Sequence, residues 1–302
     1  MLPISVVILT YNEEQHIERC IANAQRFAKE IFLVDSYSTD RTVTIAEDMG
    51  AVVLQNTWEN NYAKQFNFGL EHLAITQPWV FRLDADEYLT DALIDELHSK
   101  FKTLSSDVSG VIFERKMYFL NELMTKGMLQ MNMLRLFRNG HGFCEERWMD
   151  EHIVLTKGQS VLFENYFVDH NLNSLGWWIQ KHNGYSIREA VDLLNAEYNF
   201  LKPKSHQLQV YEMSADAQSK RDKKKKYAGM PLFWRSFAYF LYRYIFKLGF
   251  TQGKEGFLWH FLQGWWYRTL VDAKIYEIKK VCGNDPDAMK KYIIRSYNLN
   301  LE

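Results

Sequence analysis

The stretch Trp79-Val80-Phe81-Arg82-Leu83-Asp84-Ala85-Asp86-Glu87 joins an apolar run to three carboxylates within four residues. The apolar run predicts a buried β-strand. Side chains two apart on a strand share a face, so Asp84 and Asp86 point the same way while Ala85 points into the fold. In an open α/β sheet, ligands bind just beyond the carboxyl ends of the strands, where this pair would lie. Two adjacent carboxylates suit Mg²⁺ or Mn²⁺ bound together with substrate phosphates, whereas an isolated pair is more often a solvated turn.

The composition is that of an ordinary globular protein. Of the 302 residues, 47% are hydrophobic and 24% are charged, and the net charge is −1. This balance argues against general nucleic-acid binding. The sequence contains no run of about 18 uncharged apolar residues, so we expect no membrane span. Cys20, Cys144 and Cys282 are scattered, without metal-ligand spacing, and fit reduced thiols in a cytoplasmic protein. The first predicted strand begins almost at Met1, so we expect no signal peptide.

Strands and helices alternate through the first ninety residues. The apolar runs before residue 79 that predict strands are Ile4–Leu9, Glu30–Val34 and Ala51–Leu54. Their alternation with helical patterns predicts an α/β fold with a parallel, doubly wound sheet. Polar clusters follow three of the four strands, at Asn12, Asp35 and Asp84, as a nucleotide pocket at the carboxyl edge requires. The glycine-rich loops of dinucleotide-binding and Walker-type domains are missing from the sequence.

Four motifs in this region carry a resemblance to a known family. They are Thr10-Tyr11-Asn12-Glu13, Val34-Asp35-Ser36-x-Ser38-x-Asp40-x-Thr42, Lys64-Gln65-x-Asn67-x-Gly69 and Asp84-Ala85-Asp86-Glu87. In this order and spacing, residues 4–90 resemble the family 2 inverting glycosyltransferases of the GT-A fold. Within that family they are most similar to the branch of the lipopolysaccharide-core β-glucosyltransferases. The resemblance implies a Rossmann-like, mostly parallel sheet flanked by helices.

The resemblance also implies roles for individual residues. Those expected to bind a UDP-sugar donor are Thr10, Asn12 and Glu13 around uracil and ribose, Asp35 at the base, Asp84 near the ribose, and Lys64 and Asn67 facing the same cavity. Asp86 would bind the Mg²⁺ or Mn²⁺ ion that bridges the diphosphate. Asp35 and Asp40 can also be interpreted as helix caps alone, and for Asp40 we prefer that interpretation.

Inverting transfer also needs a base that removes the proton of the acceptor hydroxyl. The range Glu145–His152 is the richest source of carboxylates outside the acidic stretch. In the family a Glu-Asp or His-Glu pair occupies this place, whereas here the pair is Asp150-Glu151. Neighbouring residues of an extended segment face opposite ways, so only one of them can reach the acceptor. We favour Asp150, and Glu151 would then support a nearby loop or the metal.

The middle of the chain adds further strands and candidate residues. Val108–Phe119 and Met131–Phe137 predict strands that widen the sheet. Arg135 and Arg138 either contact a phosphate or an acidic acceptor, or are solvated strand ends. A lone histidine such as His170 is usually structural, but the resemblance implies that it completes the metal or diphosphate contacts.

A helix predicted after His170 carries two more candidate donor ligands. Its pattern, Ser-Leu-x-x-Trp-x-x-Lys-x-x-x-Tyr, covers 174–185 and is shared with the glucosyltransferase branch. Lys181 and Tyr185 are four residues apart and therefore lie on one face of this helix.

The composition changes near Pro203, which predicts a catalytic domain at 1–200 and a helical region at 201–302. Fifteen of the thirty-nine residues at 232–270 are Phe, Trp or Tyr. Four residues at intervals of four predict a polar stripe on an apolar helix: Arg235, Tyr239, Arg243 and Lys247. One interpretation is a helical subdomain packed on the sheet. We favour the other, helices lying in the membrane surface with the basic run 220–226 attracted to anionic lipid.

Together these features predict a metal-assisted, inverting glycosyltransferase. It would move a sugar from a UDP-sugar to a hydroxyl of a glycolipid or glycan, such as lipopolysaccharide or another cell-envelope glycan. We expect it to be peripheral on the inner, cytoplasmic face of the plasma membrane and to bind no nucleic acid. The alternative is a nucleotide-binding protein at the membrane surface that has lost transfer activity, although the intact Asp84 and Asp86 speak against it.

Overall fold

The computed structural model describes residues 1–145, 151–201, 226–299 and 301, and a nine-stranded mixed sheet lies at its centre. The strands are β1 (Leu2–Thr10), β2 (Ala28–Asp35), β3 (Val52–Gln55), β4 (Trp79–Asp84), β5 (Glu87–Leu89), β6 (Val108–Phe119), β7 (Glu122–Leu123), β8 (Asn132–Arg138), β9 (Gly142–Cys144), β10 (Ile153–Leu155) and β11 (Gln159–Asp169). The order is β3-β2-β1-β4-β8-β6-β11-β5, and β7 pairs with β6. Strands β9 and β10 form a separate antiparallel pair.

The first four strands form the parallel half of the sheet, as predicted. Their β-branched runs are buried on both faces; Val6, Val7 and Ile8 are fully buried. The register aligns the carboxyl ends of the strands, because Thr10 pairs with Asp35 and Leu9 pairs with Asp84. The polar clusters that follow these strands therefore meet at one edge of the sheet.

The second half of the sheet returns the chain to this edge. Strand β8 runs antiparallel between β4 and β6, and β11 then runs parallel to β6. The edge strand β5 pairs antiparallel with β11, which places Glu87 opposite Asp169. The end of β11 therefore lies beside the acidic stretch that follows β4.

Helices cover the sheet and build the carboxyl-terminal region. They are α1 (Ile17–Ala24), α2 (Thr42–Asp48), α3 (Tyr62–His72), α4 (Asp91–Lys100), α5 (Leu175–Tyr198), α6 (Trp234–Leu241), α7 (Gly253–Trp259), α8 (Tyr267–Cys282) and α9 (Pro286–Tyr297). A π-helical turn at Tyr242–Phe246 extends α6, and another at His260–Trp266 joins α7 to α8. Within the described ranges, no helix is long and apolar enough to cross a membrane.

Helix α5 connects the sheet to the carboxyl-terminal helices. Near its start, Trp178 packs against Phe119 of β6 and Trp259 of α7. Farther along, its apolar face shares one core with α8 and α9, including Val191 and Ile275. A boundary at residue 200 therefore separates α5 from the helices with which it shares a core.

Two residues of the stripe predicted on the first carboxyl-terminal helix, Arg235 and Arg243, face inward, whereas Lys247 is exposed. Arg235 is only 2% exposed, and its guanidinium pairs with the buried carboxylate of Asp272 on α8. Arg243 is buried as well, and its Nε donates to the carbonyl oxygen of Gly127 at 2.8 Å. Between these arginines Phe240 is buried too, whereas Ala238 and Tyr242 are exposed.

A buried carboxylate fastens α4 to β11. Glu96 Oε1 accepts hydrogen bonds from the N–H of Glu164 and from Lys100 Nζ, both at 2.9 Å. Its Oε2 accepts from the N–H and the side-chain amide of Asn165, also at 2.9 Å. Burial acts to raise the pKa of Glu96, but these donors lower it to about 2. The ionised form is therefore the one that the fold stabilises.

We expect Glu96→Gln to destabilise the protein most at neutral pH. The pKa of Glu96 is lower in the folded state than the usual 4.5, so its contribution is present above that value and is lost as the pH falls toward 2. Urea unfolding should show a deficit on the order of 2–3 kcal/mol at pH 7 that shrinks at pH 3. A deficit that stays constant over this range would contradict the assignment.

Glu164→Gln is the matched control for this measurement. The Glu164 side chain is 82% exposed and shares Lys100 with Glu96. Surface ion pairs contribute roughly 0–1 kcal/mol, so this variant should unfold almost as the wild type does.

Candidate active site

The acidic stretch forms the turn between β4 and β5. Strand β4 ends at Asp84, Ala85 is buried, and β5 begins at Glu87. Asp84 Oδ2 lies 3.2 Å from Nη2 of Arg135, and its Oδ1 lies 3.7 Å from Nη2 of Arg82. Burial acts to raise the pKa of Asp84, but Arg135 and then Arg82 lower it to about 2. The carboxylate at the end of β4 is therefore ionised at neutral pH.

Arg135 links both ends of this turn. Its Nη2 also lies 2.6 Å from Glu87 Oε1, while Glu87 Oε2 accepts the backbone N–H of Asp84 at 2.9 Å. Both Arg135 and Glu87 are almost fully buried. Burial raises the pKa of Glu87, and the charge of Arg135 opposes that rise.

Of the two interpretations of Arg135 made from the sequence, the solvated strand end is therefore wrong. A contact with a phosphate or an acidic acceptor stays a prediction. Arg138 has a different role at the end of β8. Its Nε donates to the carbonyl oxygen of Val108 at 2.7 Å, and the guanidinium lies over the ring of Trp79. Arg138 thus holds neighbouring strands together.

Asp86 lies in the turn and contacts the segment after β11. Its Oδ2 accepts a hydrogen bond from the side-chain amide of Asn171 at 2.9 Å. Its carbonyl oxygen accepts the N–H of His170 at 2.9 Å and contacts Nη2 of Arg19 at 3.3 Å. The structure therefore brings together Asp86 and His170, the two residues predicted to bind metal.

Both ring nitrogens of His170 have protein partners. Nδ1 lies 3.3 Å from Nη1 of Arg19, and Nε2 lies 3.0 Å from Oδ1 of Asn121. The ring also stacks on Tyr118 with centroids 4.4 Å apart. Burial and then the charge of Arg19 lower the pKa of His170, which favours the neutral imidazole at neutral pH. To bind a metal, this ring would have to exchange one of its partners.

The donor set at Asp86 suits a hard divalent cation. In the part of the chain that the structure describes, no three His, Cys, Asp or Glu side chains cluster to enclose a metal ion. Mg²⁺ and Mn²⁺ are often bound by one or two protein carboxylates, with substrate phosphates and water completing the shell. Asp86 fits this pattern.

On the nucleotide side, Asp35 organises the loop after β2. Its Oδ1 accepts from Thr10 Oγ1 at 2.9 Å and from Ser38 Oγ at 2.5 Å. Its Oδ2 accepts from the N–H of Ser38 at 2.9 Å and from Gln55 Nε2 at 3.2 Å. The carboxylate is fully buried. Thr10 and Asp35 are thus brought together, and a contact of Asp35 with the base stays a prediction.

The loop after β1 interlocks with the loop after β2. Asn12 has a left-handed φ of 55°, its N–H donates to Ser38 Oγ, and its Oδ1 accepts the N–H of Thr39 at 2.8 Å. The N–H of Glu13 donates to Thr42 Oγ1 at 2.7 Å. Burial raises the pKa of Glu13, whose carboxylate also lies 2.6 Å from Nδ1 of His16. These contacts fix the walls of the predicted uridine pocket.

The two candidates on α3 contact protein groups. Lys64 forms an ion pair with Glu59 near the surface. Asn67 holds the backbone of Cys144 from both sides, because its amide donates to the carbonyl oxygen at 2.8 Å and its Oδ1 accepts the N–H at 2.9 Å. Asn67 therefore fixes β9, the strand that leads toward the predicted base.

Lys181 and Tyr185 of α5 lie on one helix face, as their spacing predicts. The Lys181 ammonium lies 4.5 Å from the ring centre of Trp177 and 5.8 Å from that of Tyr185. Burial acts to lower the pKa of Lys181, but the charge of Asp86, followed by other acidic groups including Glu13, raises it overall. A cation thus faces the acidic turn from α5. The Tyr185 hydroxyl lies 3.2 Å from that of Tyr62, which joins α5 to α3.

Of the two candidate bases, Glu151 lies among the described residues and Asp150 lies outside them. Burial raises the pKa of Cys144, and the charge of Glu151 contributes to that rise. The same charge favours the cationic form of Arg82, which borders Asp84. Glu151 is therefore close enough to the acidic turn to influence it.

Sequence reasoning missed the residues that support the turn. Arg19 on α1 donates to the carbonyl oxygen of His170 at 2.6 Å and lies over the ring of Tyr88. Asn171 directly follows His170 in the sequence, and this position beside a predicted metal ligand could have identified it. Arg115 lies 3.5 Å from Asp169, which is partly buried at the end of β11. Burial and then the charge of Asp86 raise the pKa of Asp169 to about 6.

Comparison with known proteins identifies the amino-terminal half of the chain. Residues 5–154 match the model of the family Glycosyl transferase family 2. An uncharacterized glycosyltransferase of Rickettsia bellii is 39% identical over 104 residues, which cover 34% of this chain and 34% of that protein. LpsC, a lipopolysaccharide core biosynthesis glycosyltransferase of Rhizobium meliloti, is 36% identical over 147 residues, which cover 47% and 53%. The chain thus spans about a third to a half of the length of these curated relatives.

Among solved structures, the mannosyltransferase PcManGT of Pyrobaculum calidifontis, in complex with GDP-Man and Mn²⁺, resembles this chain over most of its length. The TM-score is 0.52 at 16% identity, over 91% of this chain and 87% of that one. An identity this low shows the fold alone. The predicted GT-A fold with its helical carboxyl-terminal region is confirmed. Residues 5–154 of the chain are similar to glycosyl transferase family 2.

Proposed function

We propose that the protein is an inverting glycosyltransferase that moves a sugar from a UDP-sugar to a hydroxyl of a cell-envelope glycolipid or glycan, assisted by Mg²⁺ or Mn²⁺. The observation that carries the proposal is the acidic turn, where Asp86 lies beside His170 and faces the charge of Lys181 within a family 2 domain. The name of LpsC supports a glycolipid acceptor. Since PcManGT was solved with GDP-Man, a GDP-sugar is the donor to test beside UDP-sugars.

The reaction is a single displacement at the anomeric carbon. The acceptor oxygen forms a bond to this carbon from one face, while the bond to the diphosphate oxygen breaks on the other. The configuration inverts, the diphosphate leaves with the bonding electrons, and the acceptor proton passes to a carboxylate base. A divalent cation held by Asp86 would offset the negative charge that develops on the leaving diphosphate.

Side chains around the acidic turn contribute to different parts of this reaction. The Lys181 ammonium adds a fixed positive charge near Asp86 and can stabilise the departing diphosphate without a proton transfer. Arg135 and Glu87 hold the turn in place, so Asp86 keeps its position when the donor binds and leaves. Asp150 or Glu151 supplies the base.

We expect Asp86→Ala to abolish metal-dependent release of the nucleotide diphosphate. Loss of the carboxylate removes the cation that offsets the developing charge, so the rate should fall about 10²–10³-fold. The measurement is UDP or GDP release across a panel of UDP- and GDP-sugars, with and without Mn²⁺. Calorimetry of UDP with Mn²⁺ provides a second readout that does not depend on the acceptor.

Asp91→Ala is the matched control, because Asp91 is an exposed partner of Arg26 away from the turn. It should retain wild-type rates and metal dependence. If the wild type shows neither nucleotide release nor metal-dependent UDP or GDP binding, the protein is not this enzyme.

The base can be assigned by comparing two conservative variants. We expect Asp150→Asn to lower kcat about 10²–10⁴-fold while the KM for the donor changes little, because a base acts only in the chemical step. Glu151 has Arg82 in its electrostatic surroundings, so Glu151→Gln should cost less than about tenfold. The measurement is initial transfer rate against donor concentration. A larger loss in the Glu151 variant would reverse the assignment.

A further inference from the structure

The carboxyl-terminal helices expose a concentrated apolar surface. Seven large side chains between residues 234 and 257 project into solvent; we call them the aromatic ridge: Trp234, Tyr242, Ile245, Phe246, Leu248, Phe250 and Phe257. Trp234 is 71% exposed and Phe246 is 75% exposed. Single exposed apolar residues are common on soluble proteins, whereas a contiguous group marks a surface that contacts something less polar than water.

The outward direction of the ridge is set by charges on the inward side. Arg235 pairs with Asp272, and Arg243 binds the carbonyl oxygen of Gly127 and Oε1 of Gln263. A helix on a water-facing surface would point its arginines at solvent and its aromatic rings at the core. Here both arginines are buried, and breaking the buried ion pair would leave an uncompensated charge. The fold therefore keeps the arginines inward, while Trp234 and Phe246 lie outside.

The exposed charges around the ridge are mostly positive. Lys226, Lys247 and Lys254 are exposed in this segment, against the single acidic residue Glu255. In the sequence Lys226 ends the basic run 220–226, of which residues 220–225 lie outside the described part. Aromatic rings flanked by lysines complement the surface of an anionic bilayer, where the rings enter the headgroup region and the lysines meet phosphates.

The loop at residues 120–131, between β6 and β8, joins the ridge to the candidate active site. Arg243 and Lys247 both bind the backbone of Gly127, and Gln252 Oε1 accepts N–H groups of the same loop. Leu120 and Leu129 of this loop are exposed as well. The loop residue Asn121 contacts Nε2 of His170, which lies beside Asp86.

We propose that the aromatic ridge and this loop rest on an anionic bilayer surface and hold the active site where a lipid-linked acceptor would lie. The membrane contact is inferred only from the exposed apolar side chains and from the charged residues around them. The choice of acceptor rests on the proposed function. Binding and transfer can therefore succeed or fail separately.

Flotation with vesicles tests the membrane contact without donor, metal or acceptor. The full chain is mixed with vesicles of phosphatidylcholine alone or with one quarter phosphatidylglycerol. We expect it to float with the anionic vesicles and less so as salt increases, because screening weakens attraction to the surface. Trp234→Ala/Phe246→Ala should weaken binding about 100-fold, since two large apolar side chains no longer enter the interface.

Leu162→Ala/Val281→Ala is the matched control, because it removes two exposed apolar residues outside the ridge and loop. It should float like the wild type, and both double variants should keep the wild-type unfolding midpoint and nucleotide release in solution. No flotation of the wild type, or equal flotation of the ridge variant, would overturn the proposal. It would also be overturned if sedimentation showed a lipid-free dimer that the ridge variant loses, since a second copy would then be the occupant.

Discussion

The buried contact of Arg135 with Asp84 and Glu87 is the constraint on which the candidate site depends. Asp84 and Glu87 lie three residues apart, and burial disfavours a negative charge on each of them. Arg135 reaches both carboxyl groups from β8, the strand inserted antiparallel between β4 and β6. Its charge overcomes burial at Asp84 and lowers the pKa there, whereas burial prevails at Glu87 and raises its pKa to about 8. Its guanidinium also lies 5.3 Å from the ring centre of Phe167 on β11. One side chain thus ties β4, β5 and β11 together around Asp86.

The insertion of β8 explains why the site lies where it does. A purely parallel sheet would have placed another strand's carboxyl end beside β4. The antiparallel β8 instead places Arg135, which lies in the middle of that strand, beside the acidic turn. The end of β11 then brings Asp169 and His170 to the same turn. The nucleotide side is built differently. There, short polar side chains such as those of Ser38 and Asn12 bind backbone N–H groups and join the loops directly.

The sequence predicts the parallel half of the fold well because the signal there is local. Strands buried on both faces produce apolar runs, and parallel register then aligns the residues that follow them. The sequence pattern alone is therefore enough to group Asn12, Asp35 and Asp84. Arg135 could not be interpreted in this way. Its partners lie 48 and 51 residues away, and only the register of β8 decides whether it faces them or the solvent. The same holds for Arg19, whose helix carries no motif.

The inward direction of Arg235 and Arg243 could not be predicted from the sequence for a related reason. Spacing identified Arg235 and Arg243 as one helical face, but spacing cannot tell which face is covered. Asp272 lies 37 residues beyond Arg235, and Gly127 lies 116 residues before Arg243. Once these partners are in place, the arginines belong to the interior together with Phe240, while Trp234 and Phe246 lie outside. In both halves of the molecule, then, buried arginines decide which side chains are presented outward: a carboxylate in the acidic turn, and aromatic rings on the ridge.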